Sequence, residues 1–169
     1  METLEQMATR FAQCDSVLLE WAEEIGQENL KSRMQVADAI AAQASTTITL
    51  FLAGIGGSLA YAARLLEAKP PALAYGAAAV CVYLTLLSVL LLLKCITLTD
   101  APAVFNEPTN LLLVNGELDA VRAGELANMQ VRIDRIKTRN SERARWLNAM
   151  RWAAILTPLL FLLTTLNYR

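Results

Sequence analysis

Three stretches of this chain carry no charged residue: Ala39 to Ala63, Pro70 to Leu93 and Trp152 to Tyr168, of 25, 24 and 17 residues. A helix that crosses a hydrocarbon core of about 30 Å needs roughly 20 apolar residues. The second run meets that need most clearly, because Ala72 to Leu93 is almost wholly Ala, Leu and Val. The first opens with polar residues and becomes apolar from Ile48. The third is short, but it borrows Leu147 to Met150 if Arg151 snorkels to the interface. Pro158 lies inside it and is expected to kink it. A soluble fold would have to wrap all three runs. Only 18% of the 169 residues are charged, against about 25% in ordinary soluble proteins, and that polar surface is too small for the task. Aromatic residues stand where a membrane would end: Trp146 and Trp152 before the third run, Tyr168 after it, and Tyr61 and Tyr75 about the first turn.

The expected fold class is an all-α membrane protein: a transmembrane hairpin plus a C-terminal span, with two long cytoplasmic amphipathic helices. The segments are 1–38, a cytoplasmic amphipathic helix; 39–97, the hairpin, with spans at about 46–65 and 72–94; 98–148, a cytoplasmic loop and long helix; and 149–169, the third span. The polar and acidic residues ahead of the first run do not read as a secretory signal. The link Arg64–Pro71 is short, so the first two spans run antiparallel. Arg132, Arg135, Lys137, Arg139, Arg143, Arg145 and Arg151 precede or open the third span, opposed only by Asp134 and Glu142. Such an excess beside a span places that side in the cytoplasm. The N-terminus is then cytoplasmic and the C-terminus outside, in a bacterial inner membrane.

Composition removes whole function classes. There is no histidine, and with it go Ser-His-Asp and Cys-His catalysis and the commonest metal ligand. Cys14, Cys81 and Cys95 are scattered, odd in number and without a CxxC pair, so neither a disulfide framework nor a zinc site follows. No catalytic constellation, cofactor site or metal site is expected. A net charge of −1 gives no general affinity for nucleic-acid polymers.

Outside the runs, the pattern is helical. Leu4, Met7, Phe11, Cys14, Leu18, Trp21 and Ile25 recur at spacings of three and four, the seam of an amphipathic helix. Leu126, Met129, Ile133 and Ile136 continue the rhythm, and Asn140 takes the next seam position, where a polar residue often sets register or oligomeric state. The two seams fit packing on each other, pairing between subunits, or, for the first, a place on lipid. No helix breaker stands between Glu117 and Pro158, so the second helix is expected to run on into the third span. Pro102, Pro108 and Asn115-Gly116 mark the segment before it as loop, with Leu111 to Val114 an apolar patch within it. The basic run admits three readings: a topology signal with anionic-lipid contact, pairing with the acidic N-terminal helix, or a site for an anionic ligand such as a nucleotide.

Two motifs lie within the first run. Ala53, Gly54, Gly56, Gly57, Ser58 and Ala60 form small-xxx-small pairs, a helix-packing face. Gln43, Ser45, Thr46, Thr47 and Thr49 read either as hydrogen bonding at the inner end of the span or as the lining of a pore. No span carries a charge near its middle, which argues against a pump.

The layout, with the lead-in Val36-Ala37-Asp38-Ala39, a tight hairpin, a cytoplasmic helix and a last span, resembles the small transmembrane effectors of bacterial nucleotide-signalled anti-phage systems, of Pycsar or SLATT type. Only Asp38 corresponds to a family residue; the Lys that shortly follows it in the family has no counterpart among the uncharged Ile40 to Gln43. The resemblance implies a homo-oligomer that breaches the bilayer on a cytoplasmic protein or nucleotide signal. The alternatives are a membrane-anchored assembly or regulatory subunit, and a holin-like lysis protein.

Overall fold

The computed structural model describes residues 3–66, 72–97 and 118–167. The link at 67–71, the segment 98–117 with its Leu111–Val114 patch, and Tyr168 and Arg169 lie outside the described residues. Among the described residues every regular element is a helix: α1 (Leu4–Ala12), α2 (Ser16–Leu66), α3 (Ala72–Leu91) with a π-helical turn at its end (Leu92–Ile96), α4 (Leu118–Ile155) and α5 (Thr157–Asn167). Among the described residues two helices are long and apolar enough to cross a membrane, or up to three if the bent pair α4–α5 counts as one candidate span. The chain divides into two compact units, 1–38 with 99–141 and 39–98 with 142–169.

In the first unit α1 is closed by a capping box. Thr3 Oγ1 accepts from the Gln6 amide at 3.3 Å, and Gln6 Oε1 accepts from the Thr3 amide at 2.9 Å. The continuous seam expected from Leu4 to Ile25 is interrupted. The helix ends at Ala12, and α2 starts at Ser16 behind Asp15, a favoured residue at a helix start, whose carbonyl accepts from the Leu19 amide at 3.0 Å. The interruption re-phases the buried face. Leu19 and Leu30 are almost fully buried while Leu18, Trp21 and Ile25 are exposed. Leu30 packs with Met129, Ile133 and Ile136, flanked by Met34. Each fully buried leucine contributes about 2 kcal/mol. Gly26 lies directly beneath Met129, whose sulfur occupies the place a Cβ would take. Glu23 meets Arg122 at 3.6 Å.

The second unit has a core of Ala44, Phe51, Leu84, Leu87, Leu91, Cys95, Leu147 and Met150. Its outer surface is also apolar: Leu50, Leu59, Val82, Leu86, Leu93, Leu159 and Leu163 are all exposed. Large apolar side chains on both faces fit helices that could cross a membrane. Gly76 is buried where α3 meets α5. A Cβ there would stand 2.5 Å from Thr165 Oγ1 and 3.0 Å from the Phe161 ring, so only glycine allows this approach.

The α4–α5 pair bends by 42° at Leu156, and the cause is local. Pro158 has no amide hydrogen and cannot bond the Ala154 carbonyl four residues back. The Thr157 hydroxyl donates to that carbonyl instead, at 2.6 Å. The Ala153 carbonyl accepts from the Leu156 amide at 3.0 Å and from the Tyr83 hydroxyl of α3 at 2.8 Å. Side-chain hydroxyls thus satisfy backbone groups that lipid would leave bare.

Candidate functional site

The polar residues that open the first uncharged run find a partner on α4. Arg151 donates from Nε to Thr47 Oγ1 at 3.2 Å and from Nη1 to Gln43 Oε1 at 3.3 Å. The Thr47 hydroxyl in turn donates to the Gln43 carbonyl at 2.8 Å, so its oxygen serves as acceptor and donor at once. Thr47 is buried. The cluster joins two helices through a cation solvated by neutral dipoles, with no carboxylate partner in these bonds. Within one copy, Gln43 and Thr47 therefore face a helix. Thr46 and Thr49 donate to the carbonyls of Ala42 and Ser45, one turn back, and both, like Ser45, are exposed. Sequence spacing marked the polar cluster but did not connect it with Arg151, since 104 residues separate Arg151 from Thr47.

A second cluster gathers at the end of α3. The Thr97 amide reaches five residues back to the Leu92 carbonyl at 3.0 Å, closing the π-helical turn. Cys95 is fully buried, and its Sγ lies 3.5 Å from the Arg143 carbonyl, to which it donates. Arg143 returns a bond from Nη2 to the Thr97 carbonyl at 3.3 Å. Lys94 Nζ sits 5.4 Å from the centroid of the Trp146 ring, within cation–π range.

The small-residue face divides. Gly54 faces Leu84 of α3: a Cβ there would lie 2.8 Å from the Leu84 Cδ1. Ser58 is half-buried and donates to the Ile55 carbonyl. Ala53, Gly56, Gly57 and Ala60 are exposed, and nothing lies within 4 Å of a Cβ built on Gly56 or Gly57.

In the first unit, Leu126, Met129, Ile133, Ile136 and Asn140 are all buried. Asn140 Nδ2 donates to the Arg33 carbonyl at 2.8 Å, while its Oδ1 is buried without a hydrogen bond. Beside this seam runs a groove of 390 Å³ between Phe11, Trp21 and Ile25 on one wall and Leu126, Ile133 and Lys137 on the other. Of the N-terminal seam, Met7 is buried, Phe11 and Cys14 are half-buried, and Leu4, Leu18, Trp21 and Ile25 are exposed. The basic run does not act as a block. Arg132 pairs with Glu125 at 3.4 Å, Arg135 and Arg145 are exposed, Arg139 is half-buried, and Arg143 joins the π-helical turn. Arg122, upstream of that run, forms an ion pair from α4 to Glu23 in the N-terminal part of α2. Asp38 is exposed on α2. Among the described residues, no group of three Cys, Asp or Glu side chains is placed to hold a metal ion.

Comparison with protein-family models, curated proteins and solved structures finds no match for this chain. The functional reading therefore rests on geometry and chemistry.

Proposed function

We propose that this chain is an integral membrane protein that assembles with copies of itself and perturbs or permeabilises the bilayer when its part outside the bilayer receives a signal. In this reading α4 and α5 complete a third span across a bacterial inner membrane. The basic run and the N-terminus face the cytoplasm, and the C-terminus lies outside. The supporting observation is the exposed face of Ala53, Gly56, Gly57 and Ala60 on an apolar helix, with open space over both glycines. In hydrocarbon such a face makes few dispersion contacts with lipid and lets another helix backbone approach closely. A second copy is the natural occupant. No catalytic role is assigned. The architectural resemblance to anti-phage effectors supplies the kind of trigger, a nucleotide or a cytoplasmic protein.

The experiment is the mass of the purified protein in detergent by light scattering, followed by dye release from vesicles. A closed oligomer that releases dye supports the reading, and Gly57→Leu is expected to reduce both mass and release. A wild-type monomer that leaves vesicles intact overturns it. A second reading, a membrane-anchored assembly or regulatory subunit, is favoured by the groove flanked by exposed Trp21 and Ile25. Co-purification of an unlike chain, lost in Trp21→Ser, would support that reading instead.

A further inference from the structure

We propose that the crossing of the π-helical turn with α4 binds the phosphate of an anionic lipid headgroup, with Lys94 and Arg143 as its cations and Trp146 as its platform. The inference needs these helices to lie in a bilayer and is independent of self-assembly.

Lys94 is the first charge after 24 uncharged residues, on an apolar helix that continues to Ile96. A lysine in that position sends its ammonium toward the headgroups. Here the ammonium is held over the Trp146 ring instead of sweeping freely. Indole rings favour this depth, with an apolar body for the acyl region and an N–H donor for the headgroup. Trp146 keeps 38% of its surface exposed. Arg143 comes to the same crossing through its bond to the Thr97 carbonyl, and the Cys95 contact with the Arg143 carbonyl fixes the two backbones together. Two cations 49 residues apart in sequence are thus brought to one end of one helix.

The surroundings select the ligand. Among the described residues of this unit, Glu142 is the sole carboxylate, against Arg64, Lys94, Arg143, Arg145 and Arg151. In the basic run Arg132 pairs with Glu125, and Arg151 bonds Thr47 and Gln43. Among the described residues of this unit cations outnumber the carboxylate five to one, a balance that favours an anion. A free phosphate and a lipid phosphate share this chemistry, but the neighbouring surface favours the lipid. Leu86, Leu90 and Leu93 form an exposed apolar strip on α3 leading to Lys94, the path an acyl chain would take below a bound headgroup. Basic pockets beside transmembrane helices bind anionic headgroups in this manner.

The test is native mass spectrometry of the full-length protein released from detergent, with phosphatidylglycerol, phosphatidylcholine or inorganic phosphate added. Wild type is expected to retain phosphatidylglycerol preferentially. Lys94→Gln should cut that retention roughly fivefold, and adding Arg143→Gln should bring it to the phosphatidylcholine level. Arg132→Gln, whose side chain faces Glu125, should retain the lipid as wild type does. Equal retention of the two lipids by wild type, or unchanged retention in Lys94→Gln, would overturn the proposal. So would occupancy by inorganic phosphate without retained phosphatidylglycerol, which would make a soluble phosphate the source. Lys94 is exposed, so the single variant remains informative if the double variant misfolds.

Discussion

The same helix, α4, behaves differently in the two units of this molecule. Within residues 118–141 it buries one face, Ala123, Leu126, Ala127, Met129, Ile133, Ile136 and Asn140, while Asp134, Arg135, Lys137 and Thr138 are exposed. Within 142–155 it buries Leu147 and Met150 yet exposes Trp152 and Ile155. Apolar residues point both inward and outward there. The difference is one that a change of solvent from water to hydrocarbon would produce. Against water, hydrophobicity alone separates the buried face from the exposed one. Against hydrocarbon that contrast vanishes, and the contact face is marked by small residues and satisfied polar atoms.

The comparison breaks most readily at Gly76. Gly76→Leu should destabilise the second unit by about 3 kcal/mol, because the new side chain must displace Thr165 and Phe161. Denaturant titration in detergent checks this, and a midpoint like that of wild type would mean that α3 and α5 do not pack closely. Next comes the polar contact. Thr47→Val keeps the shape but removes the acceptor for Arg151 Nε, and a loss of about 1–3 kcal/mol is expected for a bond to a charged donor.

In the first unit a polar deletion should act in the opposite direction. Asn140→Leu removes the buried Oδ1 that has no hydrogen bond, together with the bond to the Arg33 carbonyl. A shape-matched apolar replacement should be neutral or gain up to about 1 kcal/mol. A clear fall in the unfolding midpoint would show that Asn140 contributes more than its one visible bond. The smallest expected effect on folding belongs to Gly57→Leu, within about 0.5 kcal/mol, since the site opens on empty space. A loss of assembly without a loss of fold would separate this glycine from Gly76.

These contrasts explain what could be read in advance. The helical class and the apolar runs are legible because charge is absent over whole spans. The α4 positions are legible because a one-sided apolar seam leaves a period of three and four. The break in the N-terminal seam was not legible: the spacing runs unbroken from Leu4 to Ile25, but α1 stops at Ala12 and α2 starts at Ser16. Gly76 gave no signal at all, being one glycine in an Ala-rich run, whereas the conspicuous Gly56 and Gly57 touch nothing in a single copy.

The sequence by itself determined which segments avoid water and which cannot, because transfer between water and hydrocarbon is a property of each side chain. Which polar atoms meet was decided only by tertiary structure. Arg151 with Thr47, Tyr83 with the Ala153 carbonyl and Lys94 with Trp146 are contacts between residues 52 to 104 apart. Each depends on the crossing of two helices, and a crossing leaves no period in a linear chain.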